Sequence, residues 1–464
     1  MALKPAKNLS EIADNCTPNP LEDEELNSFF VETDAARDEK SHLRQRLIGI
    51  FNKDDRPKRV LVYGHRGCGK STELNRFKKE VGDKWFIVDF SIKDYLPPVG
   101  IKAEDVLLAM SIAVVDKLEC KHAEAGNEAQ KIEIDGAYLK RIHSFFQELT
   151  VTQTDLRDAK LTVGAEAGVG GNVLWDLIIK LKAKVSADLT VGSKKEASSV
   201  YKIRQQPGDL IIAVNGLILA VEESLKQAGK KLLLIVEDLD KLQLAEAEDI
   251  FVRNNLLLSK LNTNIIYTIP IFTFHTDNAD AIRAQFDGEY PLQMIKVFNR
   301  DGTIAVGYEK VKELILKRVE KSMFDDDALD LLIRSTGGVL RHVFEALQEV
   351  SSYSNIRDNH VRLKNIRDAL NKIRCDLGVM IGWPRDKDGN QKKPDDLYDT
   401  LLDAAKKQAA KEDYPPKNDP CIHVLLRACA LIEYNGERWL GVHPLAWEYL
   451  RAVGKQPGKS PYER

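Results

Sequence analysis

At 464 residues the chain is long enough for about three domains of ordinary size. Its 43% hydrophobic and 30% charged residues give a soluble globular balance that excludes wholesale disorder. Lys and Arg total 68 against 71 acidic residues, a formal charge of -3, which argues against a chain-wide grip on nucleic acid and leaves only a local basic face for it.

In chain order, residues 1–55 read as an N-terminal helical segment, with Leu43, Leu47, Ile48 and Phe51 at helical spacing. Residues 59–63 (RVLVY) read as a short buried strand, because aliphatic and β-branched side chains run unbroken into a glycine. Further strands are expected at 85–90 (WFIVDF), 232–236 (LLLIV) and 265–269 (IIYTI), with a fifth and weaker one at 292–298. Such strands, separated by helical patterns, predict an α/β core with a buried parallel sheet over 56–305.

The stretch from about 95 to 230 is too long for one crossover and reads as an insertion, with helices near 106–118 and 210–225 at its ends. Inside it, Leu177, Ile179, Leu181, Ala183, Val185, Ala187, Leu189 and Val191 alternate with polar residues. Leu161, Val163, Ala165, Ala167 and Val169 do the same before Gly170-Gly171. A period of two predicts an amphipathic β-hairpin that packs on its own protein or docks on a partner. No apolar stretch reaches the ~20 residues of a spanning helix. The N-terminus lacks the apolar core of a signal peptide, so the expected location is the cytoplasm. Six cysteines in so long a chain predict no disulfide scaffold, and no Cys-x-x-Cys pair suggests zinc.

From Tyr308 the pattern turns helical, and Val311, Leu314, Ile315, Val319, Leu329, Leu331 and Leu332 predict an all-helical domain over 306–378. A polar linker leads to a last domain at 390–464. There, helices near 397–411 and 422–429 precede two strands joined by Asn435-Gly436. Asn-Gly signals a hairpin because both turn positions need positive φ. Helices followed by such a hairpin describe a winged helix.

The string 64–72 (GHRGCGKST) satisfies G-x-x-x-x-G-K-[ST] directly after the first strand. Its glycines let the backbone curl so that N–H groups converge on a phosphate, and the following helix adds its positive end. Gly64, Gly67, Cys68, Gly69, Lys70, Ser71 and Thr72 are therefore candidate nucleotide contacts. Lys70 is placed to reach the β- and γ-phosphates, and the Ser71 hydroxyl to ligate Mg²⁺. Carboxylates at the tip of a neighbouring strand should complete the site, and 232–240 (LLLIVEDLD) supplies them. In the simplest register Glu237 and Asp238 are the metal and base residues. Shifted by one, Asp238 takes the metal and Asp240 orients water. No guanine-reading N-K-x-D sequence is present at the expected place, which makes ATP with Mg²⁺ the expected cofactor.

With both motifs, the chain resembles the AAA+ and STAND group of P-loop ATPases, especially its origin-initiator-like branch. The string 335–341 (STGGVLR) is similar to the sensor-2 turn of that branch, and the resemblance has Arg341 approach the γ-phosphate from a helical lid. Thr268 is similar in place to the sensor-1 residue, where Asn is more usual. The resemblance also implies an arginine supplied across a subunit interface, with Arg283 in the matching location and Arg300 as runner-up. The run 425–450 resembles the winged helix that follows the lid. Outside the insertion, the likeness covers about residue 40 to the end. Its general look is similar to bacterial ATPases that accompany mobile elements or phage defence.

The resemblance implies an ATP-hydrolysing switch that forms a homo-oligomer and regulates a partner, with catalytic roles for Lys70, Glu237, Asp238, Arg283 and Arg341. A second reading puts the winged helix on duplex DNA through Lys406, Lys407, Lys411, Arg427, Arg438 and Arg451, a face diluted by Asp396, Asp399 and Asp403. A third makes the protein a scaffold whose insertion docks an effector protein, such as a nuclease.

Overall fold

A computed structural model describes all residues except 1–2, 38–41, 97–99, 126–206, 354–355, 357, 383–392, 413, 415–417, 435–438 and 463–464. The alternating hairpin expected at 161–191 lies outside the described residues.

Five strands form one parallel sheet: β1 (Arg59–Tyr63), β2 (Trp85–Ser91), β3 (Lys231–Glu237), β4 (Asn264–Ile269) and β5 (Gly288–Pro291), in the order β2-β3-β4-β1-β5. The inner strands are apolar throughout because both faces are covered. Along β3, Leu232, Leu234 and Val236 enter one core, while Leu233 and Ile235 enter the other. Helices Leu43–Asn52 and Lys70–Val81 cover the second face, where Phe51 packs edge-on against Trp85 at 5.8 Å. Helices Ala103–Ala125 and Pro207–Gln227 cover the first. The architecture is an α/β fold of the P-loop kind, three layers deep.

The fifth strand is not where the apolar run pointed. It is Gly288–Pro291, an edge strand paired with β1 alone. Beyond Pro291 the pairing with β1 continues through the bond from the Leu292 N–H to the Tyr63 carbonyl at 2.7 Å, after which β1 turns away into Gly64. Residues 292–298 are apolar for another reason: Leu292, Met294, Ile295 and Val297 are fully buried as the chain passes from the sheet to the next helices. Burial, not pairing, made that run hydrophobic.

Four helices follow: Gly307–Arg318, Asp326–Thr336, Leu340–Ser351 and Leu363–Gly382. Gly337 (φ +59°) ends the second in the left-handed conformation, and Gly338 (φ +89°) turns the chain into the third. The N-terminal segment wraps this layer. Ala6 bridges to Val319, and Gln348 Nε2 donates to the Ala13 carbonyl. The C-terminal part comprises helices Pro394–Ala409 and Pro420–Arg427, the antiparallel strands β6 (Leu431–Tyr434) and β7 (Trp439–Val442), and helix Pro444–Ala452. Tyr434 stands opposite Trp439, so the expected Asn435-Gly436 turn falls among residues outside the description.

Candidate functional site

Strand β1 delivers its C-terminal end to the loop that precedes helix Lys70–Val81. Gly67 (φ +74°) and Gly69 (φ +99°) adopt conformations that favour glycine. A Cβ on Gly67 would also lie 2.5 Å from the Arg341 Cβ, so the loop fits against Arg341 only without one. Gly69 caps the helix with no side chain, which leaves the first-turn amides for an anion. A cradle of this kind fits a phosphate group.

Lys70 is buried and donates to the carbonyls of Gly64 (3.0 Å) and His65 (2.9 Å) and to Asp240 (2.7 Å). Burial works to lower its pKa, but its surroundings, Asp240 foremost, more than offset that and hold it above the ordinary range. Glu237 ends β3 opposite Ser91 and accepts a hydrogen bond from Ser71. Burial pushes its carboxyl up, against the opposing effect of that hydroxyl. A serine hydroxyl beside a strand-end carboxylate is a fitting donor set for Mg²⁺. Asp238 has left-handed backbone (φ +68°), and its carboxylate turns to Ser91 Oγ (3.0 Å), Lys93 (3.3 Å) and Lys241. Burial raises its pKa, but Lys241, Lys93 and Ser91 more than offset this and the group sits below the usual range.

These residues line one cavity of about 600 Å³, within the range of small-molecule sites. Gly67, Gly69, Lys70, Ser71, Thr72, Glu237, Asp238, Thr268 and Arg341 all contribute to its wall. The Thr268 hydroxyl, 1% exposed, donates to the Val236 carbonyl at 3.2 Å and holds the ends of β3 and β4 together. Thr72 Oγ1 accepts from the Leu21 N–H at 3.2 Å. Gly64 and Cys68 are not in the wall. Gly64 offers its carbonyl to Lys70, and Cys68 belongs to the core beneath the loop. Arg283 also lies elsewhere, bound to Glu289 (3.0 Å) and Asp280 (2.9 Å) and set over the Phe274 ring. Arg300 sits over the Trp439 ring at 5.6 Å.

Arg37 escaped the sequence reading. Fully enclosed, it donates from Nη2 to the Cys68 carbonyl (2.8 Å), from Nε to Thr33 Oγ1 (3.0 Å), and from Nη1 to the Gln293 carbonyl. Burial lowers its pKa. It fastens the phosphate loop to the N-terminal segment, and an isolated arginine in a polar stretch gives no sign of this. The segment also contributes Pro18, Pro20 and Leu21 to the cavity wall.

Behind the loop, the C-terminal strands make direct contact. His65 Nε2 accepts the Glu433 N–H at 2.7 Å, the Glu433 carboxylate pairs with buried His275, and Tyr434 donates to the Gly337 carbonyl at 3.3 Å. His342 lies 3.1 Å from His443. Burial pushes both His65 and His342 down to about 4. Unfolded histidine titrates near ~6.5, so protonation favours the unfolded chain. Stability from these neutral rings is whole above ~6.5 and drains away as pH falls toward about 4. Thermal melts should therefore show a falling midpoint between roughly pH 7 and pH 5, and a flat profile there contradicts a neutral-histidine joint.

No family model matches the sequence, and no curated protein matches it. Among solved structures, the chain is similar to Cdc6p from Pyrobaculum aerophilum at 9% identity and a TM-score of 0.36, covering 91% of this chain and 99% of that one. It is similar to a Walker-type ATPase of Pyrococcus abyssi at 13% identity and a TM-score of 0.38, covering 91% and 99%. A third is the Orc1 protein of Aeropyrum pernix in complex with DNA, at 10% identity and a TM-score of 0.35, covering 90% and 94%.

Proposed function

We propose that the protein binds ATP with Mg²⁺ between its parallel sheet and the helical layer, hydrolyses it, and uses the cycle to reposition its C-terminal part. The observation that carries this reading is the convergence of Lys70, Ser71, Glu237 and Arg341 on one cavity at the mouth of a loop that needs glycine at positions 67 and 69. Loop amides and the start of helix Lys70–Val81 hold the phosphates, and Lys70 neutralises them. Ser71 and Glu237 would hold Mg²⁺, which would supply neutralisation of the phosphate charge. Arg341 brings a cation from the helical layer, the role the sensor-2 resemblance implies.

The switch has a physical path. Residues 306–378 act as the lid and 390–464 as the moving module. Nucleotide shifts their position only through unequal affinity for two arrangements. The Gly67–Arg341 contact on one side of the loop and the His65–Glu433 bond on the other join both parts to the loop proposed to hold the phosphates. Homo-oligomerisation, with Arg283 acting across an interface, and regulation of an effector in phage defence or a mobile element extend this proposal. DNA ranks below a protein partner, because three of the basic residues proposed for it are engaged at home. Lys407 pairs with Asp403, Arg427 donates to Gln243, and Arg451 donates to the Gly458 carbonyl.

Titration calorimetry of the full chain tests the core of the reading. Saturable heat is expected for ATP with Mg²⁺, weaker heat for GTP, and phosphate release in parallel. Absence of heat with every purine nucleotide rules the proposal out.

A further inference from the structure

Three carboxylates leave the end of β3, and the structure gives each a different partner. Glu237 accepts from Ser71, the arrangement of a metal-holding pair. Asp238 is turned aside by its left-handed backbone and is occupied by Ser91 and by the ammonium groups of Lys93 and Lys241. Such a carboxylate is a poor proton acceptor, because each ammonium opposes its neutralisation. Asp240 instead reaches back across the cavity to Lys70 at 2.7 Å, and both side chains are 7% exposed.

We propose that Asp240, and not Asp238, is the general base of hydrolysis, held by Lys70 until a triphosphate takes its place. The proposal rests on the nucleotide reading above. An ammonium group has three N–H donors, and those of Lys70 go to two loop carbonyls and Asp240. The carbonyls belong to the loop and stay. Asp240 is the anionic acceptor that a phosphate oxygen can replace, charge for charge. Displaced, its carboxylate stays in the wall of the same cavity, beside the γ-phosphate that displaced it. It then accepts a proton from water while the water oxygen bonds to the γ-phosphorus. The bond from that phosphorus to the β–γ bridging oxygen breaks, and its electron pair leaves with ADP. The proton passes from Asp240 to inorganic phosphate or solvent. The pair thereby keeps the base engaged until substrate is present.

The test uses the full chain with fluorescent ATP-analogue binding and steady-state phosphate release. Asp240→Asn should lower turnover at least ~100-fold, the scale of general-base catalysis, while its ATP dissociation constant stays equal or tightens several-fold. A misfolded variant does not gain affinity, so the split between binding and turnover separates a base from a structural residue. Asp238→Asn tests the competing assignment, and its loss of turnover should be smaller than that of Asp240→Asn. Turnover of Asp240→Asn within about three-fold of wild type overturns the assignment, as does a ~100-fold loss in Asp238→Asn instead. Weakened ATP binding by Asp240→Asn overturns the displacement step. A wild-type chain that binds no nucleotide removes the parent reading as well. Normal wild-type turnover with an indifferent Asp240→Asn removes this assignment alone.

Discussion

Lys70→Ala should abolish measurable nucleotide binding, with a loss of at least ~100-fold, and should also lower the stability of the empty protein. The binding loss follows from removing the Lys70 ammonium beside the loop, where phosphate charge has to be balanced inside a partly enclosed cavity. The stability loss has a separate origin. Asp240 is 7% exposed and 2.7 Å from Lys70, so truncation strands a carboxylate in the interior. Breaking a buried ion pair by removing one partner typically costs about 3–5 kcal/mol. The double variant Lys70→Ala/Asp240→Asn separates the two effects. Its melting point should recover toward wild type, because the stranded charge is gone, while nucleotide binding stays absent. Recovered binding in the double variant, or undiminished binding in Lys70→Ala, means that phosphate is held elsewhere.

Much of this site was legible in the sequence because its chemistry is local. The loop from Gly64 to Thr72 is contiguous, and the positive φ of Gly67 and Gly69 is a local demand for glycine, to which the distant Arg341 adds a packing demand at Gly67. Strands β3 and β4 were legible because both faces are buried, which turns a strand into an unbroken apolar run. The fifth strand shows the limit of that logic. Residues 292–298 are as apolar as a strand, yet they are buried by the helices that follow, and periodicity cannot say what covers a buried segment. Arg37 fails to stand out for a related reason, and Asp240, a candidate only in the shifted register, gives no sign of its pairing with Lys70. Each gains meaning from a partner far along the chain, the Cys68 carbonyl for one and Lys70 for the other.

The same distinction applies to the C-terminal strands. Alternating apolar residues and an Asn-Gly pair announce a hairpin, but nothing in them announces that the Glu433 amide reaches the second residue of the phosphate loop. That contact, together with Tyr434 on the Gly337 carbonyl, sets β6 against both the loop and the Gly-Gly corner that leads to Arg341. Under the proposed switch, a displacement of the loop would reach this short strand directly at Glu433.

The Gly-Gly corner gives the second large expected effect. Gly338→Ala should destabilise the protein by at least about 3 kcal/mol and weaken ATP binding at least ~10-fold. At φ +89° an L-residue is strained, and left-handed backbone costs about 1–2 kcal/mol for a residue with a Cβ. The larger contribution is steric. The added carbon would lie 1.9 Å from the Ile295 carbonyl oxygen and 3.0 Å from its carbon, and backbone atoms of a fully buried segment cannot step aside. Relief has to come from moving the start of helix Leu340–Ser351, which carries Arg341 away from its fit against Gly67. Stability and affinity should consequently fall together, unlike in Asp240→Asn. Gly49→Ala, inside helix Leu43–Asn52 with open space around its added carbon, is the control and should be neutral or slightly stabilising. A Gly338→Ala protein that melts within about 2 °C of wild type means that the 292–298 segment yields, and that the lid is not held by this corner.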